Sequence, residues 1–137
     1  MIDIEQALFH EVVTEVEQGY SWGSSVRFIN DYIASSQVFP CVTIVERENR
    51  TDIQTMDNGG ERLAVLDYEV NVYTNSMEER KPEARRILDA VDNAFLRRGF
   101  RRRVMEQVPN PEDWSVYRLL ARYTAHVDEN GVIYKRP

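Results

Sequence analysis

The sequence predicts an α+β domain: a mostly antiparallel four-stranded sheet, two helices packed on one face, and an extended loop or hairpin. Three observations carry this. Two segments repeat apolar residues at helical spacing, two others alternate apolar and polar residues as strands do, and the order α-β-β-α-β-β fits into 137 residues, the size of one domain. A hydrophobic fraction of 42% supplies a core. No apolar run approaches the roughly 18 residues of a membrane span.

The elements follow in order. Residues 3–18 carry Ile4, Leu8, Val12 and Val16 at every fourth position, with Val13 widening the stripe, and read as an amphipathic helix. Asp3 suits the N-cap, Gln6 completes a capping-box spacing, and Gly19 is the stop. Residues 20–37 show neither period. Tyr20, Trp22, Phe28 and Tyr32 lie there among Ser, Gly and Asn, which predicts an ordered excursion with room for a short helical turn. Its aromatics either cover the core edge or await a partner. Residues 38–47 are rich in β-formers, with Pro40 at the strand start or on a sheet edge. Residues 48–62 are polar, carry Asn58-Gly59-Gly60, and fit either an extended hairpin or a mobile loop.

Residues 63–74 alternate: Leu66, Tyr68, Val70 and Val72 face one way, and Asp67, Glu69 and Asn71 the other, as in a half-buried strand. Residues 82–98 read as the second helix, with Pro82 in its first turn and Ala84, Leu88, Val91 and Phe95 at helical spacing. Gly99 is the expected residue just past its end. Residues 100–108 predict a strand, Pro109–Asp113 a turn, and 116–127 a strand with Tyr117, Leu119, Ala121, Tyr123, Ala125 and Val127 on one face. Asn130-Gly131 is a tight-turn pair, so Val132–Lys135 is expected to return as a short strand.

Charge narrows the function. A net charge of -6 argues against a general nucleic-acid binder. The distribution is uneven: residues 1–79 hold 15 Asp and Glu against four Arg, and residues 80–137 hold eight against 13 Lys and Arg. Either the two halves interleave in the fold, or the molecule has an acidic and a basic side and can associate head to tail. The acidic, amphipathic start does not resemble a secretory signal, which is basic and then apolar. The single Cys41 excludes an internal disulfide framework and fits a reducing compartment.

Signals for chemistry are thin. His10 and His126 are isolated, and with one cysteine they offer no metal-ligand spacing. Cys41 sits in an apolar strand and reads as an inert core residue. Gly59-Gly60 lacks the context of a phosphate loop. Asp67 and Glu69 share a strand face, but a metal-dependent nuclease would want a further acid and a positioned lysine, and Lys81 and Lys135 are distant in sequence. A solvated strand face is the expectation. No catalytic residue, metal or cofactor is predicted, and the chain is not expected to be an enzyme.

The remaining feature is Arg97-Arg98-Gly99-Phe100-Arg101-Arg102-Arg103. Such a run grips phosphates, pairs with acidic surface on another subunit, or caps the helix and stays solvated. Overall acidity favours the subunit contact over phosphate. Arg97, Arg98, Arg101 and Arg103, with Ile53 and Met56 from the polar stretch, are therefore the candidate residues for a subunit or tube interface.

Several segments together resemble the tail terminator, or tail completion, proteins of long-tailed bacteriophages and related particles. Phe39-Pro40-Cys41-Val42-Thr43-Ile44-Val45-Glu46-Arg47 is similar to the family's FPxVTxxE strand. Leu66 to Asn75, LDYEVNVYTN, is similar to its YEVNVY(S/T)N strand, and Arg97-Arg98-Gly99-Phe100 to its LGF helix end. Pro109-Asn110 followed by Tyr117-Arg118-Leu119-Leu120-Ala121-Arg122-Tyr123 is similar to its PN…YRLVARY hairpin. The likeness runs from about Phe39 to Val127; the segment Ser21–Gln37 is longer than the pattern, and Asp128–Pro137 extends it.

The resemblance implies a single tail-terminator-like domain over residues 1–137, with a mobile loop at 48–62 and a C-terminal extension at 128–137. It implies a structural virion protein of the tail and neck, assembled in the host cytoplasm. Copies of the chain would form a ring, commonly a hexamer, on the head-proximal end of the tail tube. There the ring would stop tube polymerisation and meet the head–tail connector or stopper proteins, with DNA passing through the lumen without specific binding and no membrane contact. The alternative is a neighbouring neck component, a head–tail connector or head completion protein of similar size.

Overall fold

The computed structural model describes residues 1–20, 26–33, 38–51 and 63–134. Helix α1 spans Glu5–Gly19, strand β1 Arg27–Ile29, β2 Cys41–Thr51, β3 Leu63–Thr74, helix α2 Arg80–Arg97, β4 Arg101–Val108 and β5 Tyr117–Asp128. The strands form one five-stranded mixed sheet in the order β1-β2-β3-β5-β4. The α+β class and the two helices match the sequence reading, whereas the expected four strands are five. The extra strand is β1, three residues long and parallel to β2. It lies in the aperiodic stretch 20–37, where three residues are too few to display an alternation.

Strand β3 is the centre of the sheet and pairs antiparallel with both β2 and β5. One face carries the core. Leu66, Tyr68, Val70 and Val72 of β3 meet Ile87, Val91 and Phe95 of α2, and Leu8, Val12 and Val16 of α1 join the same cluster. Four aromatic rings meet within it. Phe95 stacks on Tyr123 with centroids 4.6 Å apart, and Phe100 stands edge-on to Phe95 and to Tyr68.

The end of α2 explains how Phe100 arrives there. Gly99 adopts φ 99°, a conformation only glycine reaches without strain. The Phe100 N–H then donates to the Phe95 carbonyl and the Gly99 N–H to that of Leu96, both at 3.1 Å. This is a Schellman closure with its usual apolar contact, here the Phe95–Phe100 ring pair. The expected stop at Gly99 is thus also the device that turns the chain into β4. At the start of α1 the expected cap differs. Ile4 occupies the N-cap with no side-chain bond, and the Asp3 carboxylate accepts from the Glu5 N–H at 3.2 Å.

One strand runs further than expected. Strand β2 continues to Thr51 in register with Ala64, so residues 48–51 of the polar stretch are sheet, and residues 52–62, including Ile53 and Met56, lie outside the described residues. The Asn130-Gly131 turn forms as expected: Gly131 has φ 78°, Ile133 bridges to Val127, and the Tyr134 N–H reaches the His126 carbonyl at 2.8 Å. Among the described residues no helix is long and apolar enough to cross a membrane.

Candidate functional site

The second face of the sheet departs most from expectation. Asp67, Glu69 and Asn71 do not face open solvent; they are 8%, 6% and 1% exposed. The register puts Glu69 directly opposite Arg122 on β5. The Arg122 Nε donates to Glu69 Oε1 at 3.3 Å, the Asn71 amide donates to Glu69 Oε2 at 3.1 Å, and the Arg118 Nε donates to Asn71 Oδ1 at 2.8 Å. The Arg118 guanidinium also sits 5.7 Å from the Tyr73 ring centroid. A buried carboxylate is tolerated because it is paired and bonded. Burial, followed by the nearby Glu69 charge, raises the Tyr32 hydroxyl above its ordinary range against the opposing Arg47 and Arg122. Tyr32, just past β1, therefore lies near this face.

Two bulges shape the face further. The β2–β3 register shifts between Glu46 and Glu48, and the β4–β5 register shifts between Arg102 and Val104. The extra residues are Arg47 and Arg103. Bulges re-aim side chains, and both arginines line one pocket of about 330 Å³ with Asp67, Val104, Glu106 and Arg122. Arg122 is bonded to Glu69. The side chains of Arg47, Arg103 and Asp67 make no hydrogen bond or ion pair among the described residues. The Thr43 hydroxyl, buried on the same face, also lacks a partner there. In chemical terms the described residues of this face set two guanidiniums, of Arg47 and Arg103, beside the Asp67 carboxylate in one pocket.

The arginine run divides by function within the fold. Arg97 and Arg98 both bind Glu15 of α1, Arg98 at 2.8 Å, and so lock the two helices together. Arg102 turns to the core face and reaches Asp92 at 3.3 Å, where the Tyr123 hydroxyl also donates to Asp92 at 2.7 Å. Burial, then that bond, pushes the Tyr123 hydroxyl well above its ordinary range. Arg101 and Arg103 are exposed and line different cavities, Arg101 one of about 610 Å³ with Leu96, Phe100 and His126. His10 and His126 are both exposed, and Cys41 is a buried free thiol. Among the described residues no three His, Cys, Asp or Glu side chains gather as metal ligands.

The charge halves do not interleave in the sheet. Strands β1, β2 and β3 of the acidic half are contiguous, and β5 and β4 of the basic half follow on one side. Sequence reasoning missed Arg47, Arg122 and the polar layer. One signal existed: in β4 the core side passes from Phe100 and Arg102 to Met105 and Gln107, a change of phase that marks a bulge. In β2 the bulge falls among polar residues, where no alternation exists to be broken.

Compared with models of known protein families and with curated proteins, the chain matches none.

Proposed function

We propose that the chain is a structural virion protein that forms a ring at the head-proximal end of a phage tail tube. The ring ends tube growth and offers a surface to the neck. One observation carries the reading. The segments that resemble the tail terminators, scattered over Phe39 to Val127 in sequence, are β2, β3 and β5, three adjacent strands. The other two fall at the α2 end that feeds β4 and in the β4–β5 connection. The likeness therefore traces one contiguous structural unit, as a shared fold requires and a chance set of matches does not.

The separation of the acidic and basic halves adds support. A ring uses two different surfaces on each subunit, and closes when the rotation between copies fits. Unlike sides of one sheet supply such surfaces, and charge sets their register. A net acidic ring also gives DNA few counter-charges to hold it.

Deletion from the parent particle tests the reading. A tail tube is a stack with an open, heterologous end, so without its terminator it recruits further rings. Overlong tubes with unjoined heads are expected. Normal-length tails that only fail to join heads would point to the neck component instead.

A further inference from the structure

A groove of about 410 Å³ runs between α2 and the edge strand β4, lined by Leu88 and Met105 with Arg85, Arg86 and Arg102 around them. Arg102 is held on Asp92, which also binds Tyr123, so those charges are satisfied within the chain. Arg85 and Arg86 are exposed and make no hydrogen bond or ion pair among the described residues. One further carboxylate, Asp89, lines the groove. Surplus guanidinium charge around an apolar lining is complementary to an exposed apolar side chain flanked by carboxylates.

The chain itself presents such a segment. The turn between β3 and α2 carries Met77, 79% exposed, followed by exposed Glu78 and Glu79. An unbranched thioether adapts to an irregular apolar gap. We propose that the Met77–Glu79 turn of one copy docks in the α2–β4 groove of the next, with Met77 against Leu88 and Met105 and Glu78 facing Arg85 and Arg86. This rests on the ring reading and supplies its subunit contact. Turn and groove are different patches, and the proposal is that each copy gives its turn to one neighbour and its groove to another, so that the contact is heterologous and repeats from copy to copy. Arginine side chains and the bulge at Arg103 blunt the outer edge of β4, devices that keep a sheet edge from pairing with another sheet. A side-chain contact on the flank of β4 suits that edge better than sheet extension.

Two variants test the contact. Arg85→Glu with Arg86→Glu reverses the groove and leaves the turn; Met77→Ser with Glu78→Arg alters the turn and leaves the groove. All four positions are exposed, so circular dichroism and melting temperature should match the parent chain. Arg85→Gln with Arg86→Gln serves if charge reversal perturbs α2. In sedimentation the parent chain should form assemblies larger than a dimer. Either variant alone should dissociate with a constant raised at least about tenfold. An equimolar mixture should stop at pairs, because each pair retains one working turn and one working groove. Parent-like assembly by either variant overturns this contact and leaves a ring built on other surfaces. A parent chain that stays monomeric at millimolar concentration, or stops at a closed dimer, also overturns it, and tube-length assays then judge the terminator reading on its own.

Discussion

The two faces of the sheet are buried by opposite means. On the helix face, Phe95, Phe100, Tyr68 and Tyr123 pack ring on ring, and the two buried tyrosine hydroxyls are bonded within the chain: that of Tyr68 donates to Glu46, and that of Tyr123 to Asp92. On the other face, Glu69, Asn71, Arg118 and Arg122 form a bonded polar layer, while the side chains of Asp67, Arg47 and Arg103 and the Thr43 hydroxyl have no bonded partner among the described residues. The polar face carries charge that no bond among the described residues uses.

Substitutions can break that contrast, beginning with the largest effect. Phe95→Ala removes the ring at the centre of the aromatic cluster and leaves a cavity among fully buried neighbours. A loss of about 3–5 kcal/mol is expected in denaturant unfolding. Glu69→Ala on the opposite face strips the acceptor from Asn71 and Arg122. Arg122 is 37% exposed and can turn to water, so about 1–3 kcal/mol is expected, below the Phe95 cost. Equal losses at the two positions would erase the distinction between the faces.

A third test reads pH. Glu15 ties α1 to α2 through Arg97 and Arg98. Partial burial opposes its ionisation, and the two guanidiniums outweigh that, holding its carboxyl below the ordinary carboxylate range. A depressed folded-state value means the contribution is full above the ordinary range and is lost as pH falls through the folded value. Glu15→Ala should therefore cost about 0.5–1 kcal/mol at neutral pH, screened by its exposure. The difference in melting temperature from the parent chain should vanish in acid.

The smallest effects sharpen the contrast most. Asp67→Asn removes a carboxylate with no bonded partner among the described residues, so stability should stay within about 0.5 kcal/mol of the parent, unlike Glu69→Ala two residues away. Arg103→Glu and Arg101→Glu should leave melting unchanged and weaken ring or neck contacts in reconstituted particles. The two arginines line different cavities, so single reversals separate their contributions. Unchanged assembly and infectivity with both reversed would make them a merely solvated surface.

Periodicity in the sequence marks the helix face well. The stripe Leu8, Val12, Val16 and the alternation Leu66, Tyr68, Val70, Val72 both trace the core because burial on one side imposes a period. The polar face leaves no such mark. Alternation tells which residues avoid the core, and it does not tell whether water or another polar layer covers them; Glu69 reads the same in both cases. Strand β1 is illegible in the sequence because it exists through its parallel pairing with β2 rather than through any pattern in its own three residues. The arginine run is visible as a cluster, but its division among Glu15, Asp92 and two cavities depends on where the Gly99 turn and the Arg103 bulge lie in space.

The terminator reading meets its most direct test in growing tail tubes. Purified protein should be added to tube subunits polymerising in vitro, and tube length measured against the molar ratio. One ring per end suffices to cap a stack, so arrest is expected at strongly substoichiometric amounts, with the protein found only at one tube end. Arrest that needs roughly one copy per tube subunit, or tubes that grow on unaffected, would contradict the account.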